Sequence, residues 1–351
     1  MKRLAWLLGS LAVLALLSAL LPRAMNPYHM QVVMLCGINV ILAVSLNLIN
    51  GFTGQFSIGH AGFMAVGAYT SAMFTLQIGQ RWAAALVALG VPAVAAEGGV
   101  LLTATILGGL AAAVAGYLVG LPSLRLRGDY LAIVTLGFGE IIRVLILNVE
   151  AVGGARGLPG IPGWSSFFWV GAGVTAVVLV SRHLAHSTHG RALFAIRDDE
   201  IAAESLGVDC TRYKVFAFVL GAFFAGVAGG LFAHYLSYLN PSTFTFIKSI
   251  EVIAMVVLGG MGSISGSALA AVVLTLLPEV LRPVSQSFTS FVNLVLGSFT
   301  DARLPLKDYR LVLYALMLIV LMITRPQGLL GTREFSLPGF LRRRRPAREV
   351  S

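Results

Sequence analysis

The chain has very little charge. Only 11% of its 351 residues are Asp, Glu, Lys or Arg, against about 25% in soluble globular domains, and 57% are hydrophobic. That composition excludes a water-soluble fold and places the chain in a membrane. Cysteine is almost absent. Cys36 lies in an apolar run and Cys210 in a charged one, so no disulfide framework is expected. Lysine is scarce too. Lys2, Lys214, Lys248 and Lys307 are the whole set, and none follows a glycine. The Gly-Lys-Ser/Thr loop that cradles nucleotide phosphates is therefore excluded, so ATP energy would have to enter through another subunit.

The charge that is present is placed unevenly. The formal net charge is +10. Lys2 and Arg3 open the chain, Arg125 and Arg127 lie between apolar runs, and Arg342, Arg343, Arg344, Arg345 and Arg348 crowd the C-terminus. This is the positive-inside pattern, so it orients the chain in a bilayer, with both ends cytoplasmic, rather than marking a nucleic-acid surface. The basic tail, 333–351, suits anionic lipid; residues 1–332 read as one membrane domain.

Residues 182–214, RHLAHSTHGRALFAIRDDEIAAESLGVDCTRYK, cannot live in lipid. Their basic residues place them on the cytoplasmic side. Within them Asp198 to Leu206 reads as a short helix ended by Gly207, with Asp198, Asp199 and Glu200 at its electropositive start. A short helix held at the membrane face is a handle for another protein. His183, His186 and His189 share this segment, but i, i+3, i+6 spacing does not keep three imidazoles on one helical face for a metal.

The apolar runs give an all-α, polytopic helix bundle of about ten passes, including broken or re-entrant helices. Leu4–Leu21 is longer than a signal-peptide core and reads as a first span; Met30–Ile49 is a second. Residues 51–74, GFTGQFSIGHAGFMAVGAYTSAMF, combine Gly51, Gly54, Gly59, Gly62 and Gly67 with Thr53, Gln55, Ser57 and His60. Close helix packing explains many of the glycines. The polar cluster points further, to a broken helix lining a solute path. Ala83–Ala95 is too short to cross and is expected to lie at the outer face or re-enter, with Val100–Gly120 as the true span. Asp129–Val149 carries Glu140 and Arg143 three apart, an intramembrane pair expected to turn inward as a packing element or part of the path. A Gly/Pro-rich outer loop spans 150–164. Spans are expected at 167–180, 213–239 and 311–323. Two passes or a re-entrant pair around the flexible GGMGSISG lie within 249–281, and 282–308 reads as an outer connection.

An intramembrane serine protease would use Ser265 and His234, but Ser263 stands where its Gly-x-Ser-Gly turn needs glycine. A proton-coupled secondary transporter would use Glu140 and Arg143. Against both stand four motifs in order: GFTGQFSIGHAGFMAVGAYT, GDYLAIVTLGFGEIIRV, GRALFAIRDDEIAAESLGV and VVLGGMGSISGSALAAV. From about residue 30 to 330 the chain resembles the LivM-type permeases of branched-chain amino acid ABC importers. The resemblance implies a non-catalytic inner-membrane subunit paired with a LivH-type permease, two ABC ATPase subunits that use the ATP, and a periplasmic solute-binding protein. It implies no cofactor on this chain. It makes Arg197, Asp198, Glu200, Ala202, Glu204 and Gly207 the ATPase-coupling positions. Since the family includes permeases for urea and short amides, such solutes stand as the alternative to Leu, Ile and Val.

Overall fold

The computed structural model describes residues 14–18, 20–21, 25–123 and 128–296, the last sixteen by backbone alone, together with 319, 323 and 328. The expected first span lies mostly, and the last span and basic tail wholly or nearly so, outside the described residues.

The described chain is almost wholly helical. α1 (Pro27–Asn50) opens on a proline, whose missing N–H costs nothing in a first turn. After the break at 51–59 come α2 (His60–Phe74), a π-turn (Thr75–Gly79) and α3 (Gln80–Ala88), one continuous rod. α4 (Ala93–Ser123), α5 (Asp129–Asn148) and α6 (Phe167–Ala185) follow, then the insert helices α7 (Thr188–Asp198) and α8 (Glu200–Ser205), and α9 (Cys210–Leu236). α10 (Phe246–Gly259) and α11 (Ile264–Leu296) complete the order. Among the described residues five helices, α1, α4, α5, α6 and α9, are long and apolar enough to cross a membrane. In lipid every backbone polar group must be satisfied within the protein, which is why the spans are helices.

α9 is the hub, packed on α1, α2 and α4. Glycine brings the backbones together. A Cβ on Gly67 would lie 2.2 Å from the Gly226 Cα, one on Gly226 would lie 2.7 Å from the Gly108 oxygen, and one on Gly108 would lie 2.5 Å from the Gly67 oxygen. α2, α4 and α9 thus meet at a junction that admits no side chain. Without a hydrophobic drive between helices in lipid, such close dispersion contact holds the bundle.

At the end away from the insert, β1 (Leu158–Pro159) pairs antiparallel with β2 (Tyr238–Leu239), stitching the 150–164 loop over α9. His234 spends both ring nitrogens there, on Thr75 Oγ1 (2.9 Å) and the Gly230 carbonyl (2.8 Å). It is no free base for Ser265.

Two expectations are corrected. Ala83–Ala95 does not re-enter. Its first part continues the α2 rod, which at 15, 5 and 9 residues is about 43 Å long, and its last part already belongs to α4, which starts at Ala93 rather than Val100. Hydropathy fails there because both arms outrun the roughly 30 Å apolar core. Nor is 282–308 a connection throughout, since α11 runs on to Leu296. The ends of α4 and α5 that flank 124–127 point toward the insert, the side that the positive-inside pattern requires.

Gly67→Ala is expected to lower stability by about 1–3 kcal/mol, because the obstacle is backbone. Gly137→Ala, where a Cβ meets nothing within 4 Å, should be neutral or better. Thermal unfolding of both variants in detergent checks this; equal midpoints would refute the glycine junction.

Candidate functional site

The insert is built from capped short helices. Ser187 Oγ accepts the Gly190 N–H at 3.1 Å and starts α7. Asp199 Oδ1 accepts the N–H groups of Ile201 (2.9 Å) and Ala202 (3.0 Å) and starts α8; Gly207, at φ 86°, lets the chain turn out of it. The acidic helix is therefore shorter than the expected Asp198–Leu206. Asp199 is its cap, and Asp198 ends the preceding helix, which propensity alone did not separate from it. A small core of Ile196, Ala203 and Cys210 holds α7, α8 and the start of α9 together. Lys214 Nζ reaches Glu200 Oε2 at 2.6 Å with its side chain only 8% exposed. The bracket is thus rigidly joined to the hub helix.

Its other attachment is Arg197. The guanidinium donates from Nη1 to the Gly51 carbonyl at 3.2 Å and from Nε and Nη2 to Asp198 Oδ1 at 3.2 Å, 5.2 Å from the centre of the Phe194 ring. Phe194 in turn packs on Phe52 with ring centres 4.9 Å apart. A Cβ at Gly262 would lie 2.9 Å from Arg197 Nη1. α7 therefore rests on two glycine turns at once, one after α1 and one between α10 and α11. Asn47 links those turns by accepting the Gly262 N–H at 2.8 Å. Gly328 is buried against Gly260 at the same place.

The first turn opens the helix break. Residues 54–59 are irregular, and Gln55, Ser57 and Gly59 are buried, so side chains must serve their backbone. Asn50 Oδ1 accepts the Ser57 N–H (3.3 Å), Thr135 Oγ1 the Ile58 N–H (3.0 Å) and Ser249 Oγ the Ala61 N–H (3.0 Å). Thr53 Oγ1 donates to the Ile49 carbonyl at 2.6 Å, and His60 Nε2 lies 2.8 Å from Ser45 Oγ. Thr53, Gln55, Ser57 and His60 are all buried. Gln55 Oε1, Ser57 Oγ, His60 Nδ1 and the Nδ2 atoms of Asn47 and Asn50 have no hydrogen-bond partner among the described residues. Five such atoms within fourteen positions is a concentration that a finished core avoids.

Glu140 and Arg143 pair at 2.7 Å, but they are not turned into the bundle, since their side chains keep 33% and 25% exposure. Glu140 lines a cleft of about 10 Å³ with Ile58, Gly62, Phe246 and Ser249. The structure thus places Arg197 beside the break that holds Thr53, Gln55, Ser57 and His60, and Glu140 beside that break's far end. Ala202 and Glu204 face outward on α8. Four residues escaped sequence reasoning. Phe194 and Lys214 complete the bracket's anchorage, while Ile201 and Leu206 stand 69% and 84% exposed. A bulky apolar pair, one on a six-residue acidic helix and one at its C-cap, was the available signal. His183, His186 and His189 each spend Nδ1 on a separate partner, Leu179, Arg182 and Tyr213.

With this geometry in view, the comparisons are consistent. Residues 28–322 match the family described as branched-chain amino acid transport system / permease component. The LivM permease of the high-affinity branched-chain amino acid transport system of Salmonella typhimurium is 39% identical over 329 residues, 84% of this chain and 68% of the relative. That of Escherichia coli is 36% identical over 356 residues, covering 91% and 74%. The Escherichia coli LivH permease is 24% identical over 315 residues, covering 84% and 91%. No solved structure gives a significant match.

Arg197→Ala should loosen the bracket by about 1–2 kcal/mol, the worth of part-exposed bonds from a charged donor. Protease cleavage within 187–209 should then speed up about 5- to 30-fold. Arg191→Ala, at an exposed site on the same helix, should leave the rate unchanged. Matching rates for the two variants would remove Arg197 as the anchor.

Proposed function

Because the chain belongs to the branched-chain amino acid transport system permease family, we propose that it is a membrane subunit of an ATP-driven importer for leucine, isoleucine and valine. It sits in a bacterial inner membrane with both termini cytoplasmic. A LivH-type permease pairs with it, two ATPase subunits dock below and consume the ATP, and a periplasmic binding protein delivers solute. The observation that carries this reading is Arg197 of α7, which, beside the exposed acidic helix α8, bonds the first glycine turn of the transmembrane bundle and packs against the second.

The mechanics follow from that attachment. α8 presents Ile201, Ala202, Glu204 and Leu206 to the cytoplasm as the surface an ATPase grips. Glu200 holds α8 to Lys214 of α9, while Arg197 holds α7 to Gly51 and sits against Gly262. A force on α8 therefore divides. The glycine-packed hub resists it, and the turns yield, because glycine backbone is free where packed helix is not. Moving the turns rearranges 51–60 and brings Thr53, Gln55, Ser57 and His60 to the path. Glu140 and Arg143 stand beside it. The solute supplies no energy in this scheme. A proton-driven carrier would need none of the insert's machinery.

In vesicles holding the complete transporter, Ile201→Glu should abolish retention of the ATPase subunits. Arg197→Ala should retain them yet lower leucine uptake per ATP hydrolysed by at least about tenfold, a coupling loss of roughly 1.4 kcal/mol. Undiminished uptake per ATP in Arg197→Ala would overturn the proposed linkage.

A further inference from the structure

Among the described spans α5 is the least buried. Only 17% of the residues in its most apolar stretch are buried, against 78% in α1 and 67% in α9. Its outward face is a single stripe. Tyr130, Ile133, Gly137, Ile141, Val144 and Asn148 follow one another at steps of three and four residues, and all are exposed. Gly137 stands near the middle of the stripe, and a Cβ there would meet nothing within 4 Å. The hub glycines Gly67, Gly108 and Gly226 each meet a neighbour's backbone. Gly137 offers the same close-packing surface to no neighbour.

On one shoulder of the stripe lie Glu140 and Arg143, paired at 2.7 Å with side chains 33% and 25% exposed. Glu140 is 11 residues from Asp129 and 8 from Asn148, about 17 and 12 Å along the axis, so the pair lies at mid-membrane. Among the described residues these two ions bond only each other. A part-exposed ion pair at that depth is not turned to lipid. Other outward faces differ. α4 is exposed at Leu102, Ile106, Leu110, Val114 and Leu118, with no charge among them, and suits acyl chains. α10 carries a comparable pair in Lys248 and Glu251, but Asn39 of α1 accepts from Lys248 Nζ at 3.2 Å, so that pair is held within the bundle.

We propose that the outward stripe of α5, with Gly137 at the crossing point and the Glu140–Arg143 pair beside it, seats a transmembrane helix of the LivH-type permease. The proposal rests on the partnership stated above and adds where the two chains meet. Charge selects the occupant. Two identical helices paired about an axis along the membrane normal set one shoulder of the stripe against the other. On α5 the shoulder opposite Glu140 carries Ile141 and Leu145 at this depth. A second copy would therefore leave the ion pair against apolar side chains. A related chain of different sequence can place a hydroxyl, an amide or an ionised group there. The Escherichia coli LivH permease is similar along 84% of this chain, so a partner of that type brings a similar bundle. Gly137 lets the two backbones approach closely, and the approach shields the pair from lipid.

The test uses membranes holding the complete transporter, with an affinity tag on this chain. The photoreactive residue p-benzoylphenylalanine is placed singly at Ile133, at Ile141 or, on α4, at Leu118, and the membranes are irradiated. Ile133 and Ile141 should give a product containing this chain and the LivH-type permease; Leu118 should give lipid adducts. Separately, Gly137→Leu should lower the amount of LivH-type permease that co-purifies several-fold, while the thermal midpoint of this chain alone in detergent stays unchanged. If that midpoint falls as well, the photoproducts decide. If the unaltered chain retains no LivH-type permease, the partnership falls and this proposal with it. If the partner is retained but the α5 positions yield only lipid adducts, a product of two copies of this chain or a cross-link within one chain, the partnership stands and the α5 interface is overturned. An equal yield from Leu118, or full retention by a normally folded Gly137→Leu, overturns it too.

Discussion

The insert and the transmembrane bundle are joined by the contact between the Arg197 guanidinium and the backbone of the first glycine turn. A carbonyl at the end of α1 needs a donor, because the helix has stopped and the next residues are irregular. Supplying it from a side chain of the insert makes the membrane break and the water-exposed bracket one object. Had Asn or Ser of the bundle supplied that donor, the insert would hang free of the path. The second turn joins through Asn47 and through the space that only Gly262 leaves for Nη1.

Rigid and yielding parts are both made from glycine, by opposite uses. Gly67, Gly108 and Gly226 sit in continuous helices, where the missing Cβ allows backbones to touch and dispersion to lock them. Gly260 and Gly262 sit at φ 102° and 93°, which other residues reach only with strain. The first set makes a close-packed hub, and the second makes the turns on which force would act in the proposed coupling. Glu200 and Lys214 deliver one side of the bracket to the hub, while Arg197 delivers the other to the turns.

Much of this was legible in the sequence, and the rest was hidden for stated reasons. Scarce charge and long apolar runs are enough for a polytopic bundle, and the 182–214 insert announces itself because lipid cannot hold it. The polar cluster at 53–60 marks the break correctly, since four polar side chains so close together have no use in helix packing alone. What sequence could not show is which way a charge points. Arg197 and Asp198 are neighbours in a charged run, yet one turns in to Gly51 and the other stays 70% exposed. Glu140 and Arg143 are found by their spacing, but spacing cannot separate an inward pair from one on the subunit's flank. Lys248 and Glu251 obey the same rule; Glu251 reads only as a charge near the outer end of its stretch, and the pairing is hidden because α10 is short and begins beside a polar loop. The tip at 83–95 misleads for a different reason. Hydropathy counts residues against a bilayer thickness, whereas these two arms are longer than the bilayer.

The break is also where the present packing is least content. A buried polar atom without a partner costs about 1–3 kcal/mol, and five of them line Asn47 to His60. A fold that needed this segment only as a strut would have replaced them with apolar groups, which pack there at lower cost. Their presence makes sense if another arrangement of the same turns satisfies them, with water or a passing solute as the partner. The packing then holds them only as firmly as the bracket presses, through Arg197 on Gly51 and Asn47 on Gly262.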